Sequence, residues 1–433
     1  MKKLLRFIFL FIICFGLTSK AIAMSIIRDT ETEELLIGYL RPIFKAAGLN
    51  AEDADVVIIN DPSINAFVAG GQTVFVHTGL LLKSTFPDEL VFVLSHETGH
   101  IVGGHIIRGY QAMQNAQTTA LISTVLGGVL AVVGGRPDAG IAVMMGGQTS
   151  AMGMFTKYRQ TEESSADRTA VDILNKIGYS MRGFEGIMKS IKAEERLNNS
   201  SENGYLRTHP MTQERVNDIA RFLENAKSPK REEHFDLVKA KLSGFLLEPE
   251  RVFISYSGNS LSDKYAQAIA FYRQHQYLQA FSKIDELIKE KPENPYFYEL
   301  KAQLFFETGK LSRAEDYYKK AYELKKDAAL IALSYAQVLL EQDNPDKAKL
   351  AESLLEFVVE KEPEAPFGWQ LLSKAYNRQG KTLDADYAVT EYYLTSGRID
   401  EAKQRAEKIL NDFSDNVILQ QRLQDIIDIG GIE

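Results

Sequence analysis

The residues best suited to chemistry lie at His96-Glu97-Thr98-Gly99-His100. Two histidines at i and i+4 share one face of a helix, so both imidazoles can reach one cation. Glu97 follows the first histidine, where it can contact a water held by that cation and act as a general base. The stretch from Asp88 to Gly103 reads as the helix that must carry them. Asp88 follows Pro87 at its start, and Leu90, Val91, Val93 and Leu94 supply an apolar run.

A catalytic zinc site needs a third protein ligand and an open position. In the extended three-histidine pattern that ligand would be at position 106, which is Ile106, with His105 one place short. On a continuous helix His105 points about 140° away from His100, so it reads as a helix-end or packing histidine. Glu163, in Glu163-Ser164-Ser165-Ala166-Asp167, is the better candidate. Glu163 and Asp167 lie at i and i+4 and face the same way on a helix. Glu163 would bind the metal, while Asp167 would accept a hydrogen bond from the outer nitrogen of a ligand histidine and fix its tautomer. His77, His234 and His275 have no supporting pattern and read as structural.

The chain of 433 residues is 45% hydrophobic and 25% charged, the profile of a globular protein of two or three domains. The net charge of −8 argues against a protein built to neutralise phosphates, so nucleic acid is not expected as a partner. Residues 1–23 read as an export signal: Lys2, Lys3 and Arg6, then a short apolar run, then Ala21-Ile22-Ala23 as a cleavage site. The only cysteine, Cys14, lies within it, so disulfides are excluded from the remainder. Periplasmic location is the expectation for a double-membrane source.

Beyond the leader, residues 24–249 mix helical and strand patterns, 250–263 read as a polar linker, and 264–433 are helical throughout. Thr32 to Gly48 reads as a helix, and Val56 to Ile59 as a buried strand. Asn65 to Ala69 and Thr73 to Val76 read as strands about Gly70-Gly71. The strand from Thr73 to Val76 reads either as an edge for an extended substrate or as an ordinary core strand. Ala120 to Gly135 and Ala139 to Met154 are apolar and Gly-rich, each too short to span a bilayer. They read as a hairpin that covers a cleft, touches a membrane peripherally, grips apolar strands or is buried in the core.

The last region repeats. Ala268, Ala302 and Ala336 are 34 residues apart, as are Ala280, Ala314 and Ala348. Small residues at two fixed positions let paired helices approach closely. A 34-residue period of this kind resembles the tetratricopeptide repeat, whose stacked units form a concave groove for peptides or partner proteins.

The pairing of His-Glu-x-x-His with Glu-x-x-Ala-Asp resembles the membrane-linked zinc metallopeptidase family that includes the CAAX prenyl proteases. Within it, the chain is similar to the exported, BepA-like (YfgC-like) branch with a C-terminal tetratricopeptide domain. Ile27-Arg28-Asp29, Asn65-Ala66-Phe67, Thr78-Gly79-Leu80 and Thr208-His209-Pro210 with Arg215 also fit. The resemblance implies an α+β zincin-like metallopeptidase domain followed by an all-α tetratricopeptide-repeat solenoid. It implies one zinc ion held by His96, His100 and Glu163, with Glu97 taking a proton and later delivering it to the leaving amine. His209 would either stabilise the tetrahedral intermediate or occupy the fourth zinc position at rest, the latter being what this branch implies. Arg215 would hold Glu163 or Asp167 electrostatically. Misfolded or stalled outer-membrane proteins are the implied substrates, with the outer-membrane β-barrel assembly machinery as a docking partner. The rival is a chaperone or adaptor with restrained proteolysis. A cell-wall amide hydrolase is less consistent with the repeats.

Overall fold

A computed structural model describes residues 25–429, apart from 70, parts of 106–136, 199–204, 206–208, 225 and 413–416. The leader and most of the apolar stretch 120–135 lie outside the described residues. The chain forms two compact units. One holds Ile26, Ile27 and Leu40–Ser228, and the other Arg28–Tyr39 and Pro229–Glu433. Among the described residues, no helix is long and apolar enough to cross a membrane.

The first unit contains a four-stranded sheet of order β1-β2-β4-β3, with β1 Ile26–Ile27, β2 Asp55–Ile59, β3 Ala66–Ala69 and β4 Thr73–His77. β4 runs parallel to β2 and antiparallel to β3. The expectation that the Thr73 strand presents an edge is therefore corrected: β4 is hydrogen-bonded on both sides, and the edge beside it is β3. The apolar run of β2 ends with Ile58 and Ile59 buried, as β-branched residues of a half-covered sheet should. Helix α1 (Thr30–Ala47) begins in the segment that joins the second unit and ends in the first. A short helix, α2 (Thr78–Lys83), follows β4.

Helix α3 (Pro87–Gly103) starts with Pro87 in its first turn and Asp88 and Glu89 beside its positive end. Leu90, Val91, Phe92, Val93 and Leu94 are all essentially inaccessible. At about 1.5–3 kcal/mol for each fully buried large apolar side chain, this run anchors the helix firmly. Helix α4 (Pro137–Ile177) takes in residues 139–154 of the second apolar arm. Helices α5 (Arg182–Asn198) and α6 (Gln213–Leu223) follow.

The second unit is helical. Helices α7 (Glu233–Leu246) and α8 (Pro249–Ser255) precede α9 (Leu261–Arg273), which opens on a capping box between Ser260 and Asp263. The helices then pair: α9 with α10 (Tyr277–Glu290), α11 (Pro295–Glu307) with α12 (Leu311–Leu324), α13 (Ala329–Leu340) with α14 (Pro345–Lys361), and α15 (Pro366–Arg378) with α16 (Thr382–Thr395). Helices α17 (Ile399–Asp412) and α18 (Val417–Asp428) follow. All six repeat alanines are fully buried, and Phe305, Tyr317 and Tyr335 pack in the cluster that holds Ala302, Ala314, Ala336 and Ala348. Gly309 turns between α11 and α12 with φ +72°, a conformation that disfavours any residue with a Cβ.

Candidate metal centre

Helices α3 and α4 bring the two motifs together by a close crossing. A Cβ on Gly99 would lie 2.9 Å from the Ala166 Cα and carbonyl oxygen. Gly99 and Ala166 are thus where the backbones touch, and their smallness lets Glu163 reach the histidines. Neither role was visible in the motif spacing alone.

One ligand atom from each of His96, His100, Glu163 and His209 lies within 4.8 Å of the others. His96 Nε2 is 3.1 Å from His100 Nε2 and 3.3 Å from a Glu163 oxygen. His100 Nε2 lies 3.5 Å from the other Glu163 oxygen. His209 turns Nδ1 toward this group, 3.2 Å from both Glu163 oxygens, and Nε2 toward Glu97 Oε1 at 3.4 Å. All of these residues but His100 are buried, and His100 is half-buried.

Behind them stands a second layer. Asp167 Oδ1 accepts from His96 Nδ1 at 2.9 Å, which places the remaining lone pair of a neutral His96 on Nε2. Arg215, on α6 and 2% exposed, donates to both Asp167 oxygens at 2.6 and 2.9 Å and lies 3.0 Å from Glu163. It also donates to the Pro210 carbonyl at 2.8 Å, tying the His209 segment to the same carboxylates. Thr212 caps α6 by accepting from the Arg215 backbone N–H. Tyr205, fully buried, packs its ring 4.8 Å from that of His209 and accepts from the His209 backbone N–H through its carbonyl.

His105 is not directed away from His100. Helix α3 stops at Gly103, and Gly104 adopts the left-handed conformation at φ +60°. The break in the helix changes the direction of the next side chain, and His105 Nδ1 comes within 2.9 Å of His100 Nδ1. The 140° expectation assumed a helix that continued. A Gly-Gly pair before the histidine was the available signal for the turn. Of the histidines read as structural, His77 meets Ser63 and Asp61, away from this group.

The electrostatics favour charge on His96 over charge on His100. Burial opposes charge on His96, yet hydrogen bonds to Asp167 and Glu163 push it up to about 10. Burial and the charge on His96 push His100 well below its usual value. Burial would raise Glu163, but His209 and His96 hold it well below the carboxylate range. Asp167 is lowered likewise, burial being outweighed by His96 and Arg215. Burial raises the Glu97 carboxyl, against the pull of the His209 charge. Two imidazole nitrogens 3.1 Å apart cannot both direct lone pairs at one another without a proton or a cation between them. Glu97 Oε1 and His209 Nε2 are both buried without a hydrogen-bond partner, polar atoms that a water beside a cation would satisfy. This donor set of imidazole and carboxylate fits a divalent metal.

Residues 31–222 match the model of Peptidase family M48, and residues 265–329 match a tetratricopeptide repeat model. A Yersinia pestis protein named "Beta-barrel assembly-enhancing protease" is 26% identical over 357 residues, 80% of this chain and 72% of its own. An Escherichia coli K12 protein of the same name is 26% identical over 359 residues, with the same coverage. The "Metalloprotease LoiP" of that strain is 23% identical over 171 residues, 40% of this chain and 63% of its own. The M48 match implies a metal, and the chain is a metallopeptidase that joins a Peptidase family M48 domain to tetratricopeptide repeats.

Proposed function

We propose that this chain is an exported, periplasmic zinc endopeptidase that degrades misfolded or stalled outer-membrane proteins. In this reading residues 1–23 are the export signal, 24–249 the peptidase domain, 250–263 the linker and 264–433 the repeat domain. The repeats would dock substrates or the outer-membrane β-barrel assembly machinery. The names of the Yersinia and Escherichia relatives support that setting.

The observation that carries the peptidase reading is the convergence of His96, His100 and Glu163 beside Glu97. These three residues would hold zinc, which when bound supplies Lewis acidity to a peptide carbonyl and to a water. Glu97 Oε1 accepts the water proton and returns it to the leaving amine nitrogen. Its burial favours the protonated carboxyl, which suits a group that must hold a proton between two steps. Asp167 keeps the proton of His96 on Nδ1, and Arg215 orients Asp167 and Glu163.

His209 supports the restrained form of this activity. Its Nδ1 lies against both Glu163 oxygens, where an incoming carbonyl would otherwise approach. We take it as the fourth ligand at rest, displaced when substrate enters. This is also what keeps the chaperone or adaptor alternative open, because a site closed at rest binds more often than it cuts.

The test is degradation of an unfolded model protein by the zinc-loaded chain, its Glu97→Gln variant and its His209→Ala variant. Glu97→Gln should lose cleavage by about 100-fold or more and keep its zinc, while His209→Ala should cleave faster than the parent. Equal cleavage by the Glu97→Gln variant would remove Glu97 from the mechanism. No cleavage by the parent or by His209→Ala would favour the chaperone reading.

A further inference from the structure

We propose that His105 is the positioning residue for His100: its Nδ1 accepts the proton of His100 Nδ1 and so aims the His100 Nε2 lone pair at the metal position. The inference rests on the reading that His100 is a metal ligand.

The geometry is specific. The two Nδ1 atoms are 2.9 Å apart, and the ring centroids are 4.9 Å apart at 79°. His105 is only 4% exposed, so its ring is held in place. A hydrogen bond between two imidazoles needs one donor and one acceptor. When His100 Nε2 points a lone pair toward His96 and Glu163, its proton must reside on Nδ1, and His105 Nδ1 must then be the acceptor. His105 carries its own proton on Nε2.

The backbone is shaped for this contact. Gly104 supplies the left-handed residue that ends the helix immediately before His105. At Gly103, a Cβ would overlap the His105 ring. The Gly103-Gly104 pair therefore supplies both the helix end and the space. The result is an unequal pair of ligands. His96 is backed by an anion, Asp167, whereas His100 is backed by a neutral imidazole. A fourth carboxylate, behind His100, would add negative charge to a pocket that already holds Glu97, Glu163 and Asp167. A neutral acceptor fixes the tautomer without that charge.

The experiment measures zinc affinity of the full chain by competition with a chromophoric chelator, for the parent and for His105→Ala, His105→Asn, Gly103→Ala and His100→Ala. His105→Ala should lose about 10-fold or more. His105→Asn, whose amide oxygen can accept the same proton, should recover most of the loss. Gly103→Ala should behave like His105→Ala, and the double variant should lose no more than either single one. If His105→Ala binds zinc as tightly as the parent, or if Asn fails to rescue a folded protein, the proposal is wrong. Unchanged affinity in His100→Ala would instead overturn the ligand reading beneath it. Imidazole nitrogen NMR of the zinc-loaded parent decides the matter even if a variant does not fold. A proton on His100 Nδ1 and none on His105 Nδ1 is expected, and the reverse placement would overturn the proposal.

Discussion

Two buried charge clusters, one in each unit, use similar residues to opposite ends. In the first unit Glu97, Glu163 and Asp167 meet three histidines and Arg215. In the second, Asp29 and Glu31 converge on Lys241, at 2.5 and 3.3 Å, with Tyr265 donating to Glu31 at 2.8 Å. Nearby, Glu34 pairs with Lys325 at 3.1 Å and accepts from Tyr296. Arg28 bridges Glu33 and Glu362 at 2.8 and 2.7 Å. This second cluster stitches the segment Arg28–Tyr39 to helices far along the chain, although Glu31 Oε1 has no hydrogen-bond partner. The first leaves Glu97 Oε1 and His209 Nε2, 3.4 Å apart, buried without a hydrogen bond. The contrast between the clusters shows in proton affinity. Burial pushes Glu31 up to about 7, the Lys241 charge failing to offset it while Asp29 adds repulsion. Glu163, also buried, is held far below its ordinary range by its histidine neighbours. A cluster that fastens chain can share one cation among carboxylates. One that receives a metal must keep its carboxylates ionised.

Removing the central cation of each cluster tests this difference most strongly. Arg215→Met and Lys241→Met should each cost about 3–5 kcal/mol, because buried carboxylates lose their partner. Zinc should restore part of the loss in Arg215→Met and none in Lys241→Met, as read by denaturant unfolding with and without the metal. Equal rescue of both would erase the distinction between the clusters.

A smaller effect should follow Asp167→Asn. The amide still contacts His96 but without a charge, and Arg215 loses its bidentate partner. Zinc affinity should fall about 10–100-fold, measured by chelator competition, with the metal-free fold weakened as well.

Glu31→Gln should act through pH. The folded carboxyl holds its proton up to about pH 7, against 4.5 for the ordinary group. Between those values the folded state binds more protons than the unfolded state, so stability falls as pH rises. Replacing the acid should therefore stabilise the protein by up to about 3 kcal/mol at pH 8 and change little at pH 4. A pH-independent effect would show that Glu31 is ionised in the fold.

The smallest change concerns Gly309→Ala in the repeats, where φ is +72°. It should cost about 1 kcal/mol in urea unfolding, leaving zinc affinity untouched. A change in affinity would mean that the repeats and the metal cluster are coupled.

Much of this was legible in local spacing. The i, i+4 relations of His96 with His100 and of Glu163 with Asp167 need only helices to put each pair on one face. The 34-residue alanine registers announced paired helices without any knowledge of their packing. The strands near Val56, Ala66 and Thr73 were visible from β-branched runs, but their order was not. Nothing local says that the Thr73 strand lies between two others, because strand pairing joins residues distant in sequence. The direction of His105 was misjudged because a periodic rule was carried past a Gly-Gly helix end.

The sequence by itself determined the residue types that chemistry needs and the helical faces that carry them, since 3.6-residue periodicity is a property of the local backbone. Only the tertiary structure decided that Gly99 meets Ala166 and so places Glu163 under the histidines. It alone decided that His209 and Arg215 arrive from another segment, that His105 returns to His100, and that Arg28–Tyr39 is fastened to the second unit. Each of these depends on a close approach between distant parts of the chain, where burial makes an unpaired charge costly and so selects one arrangement of partners.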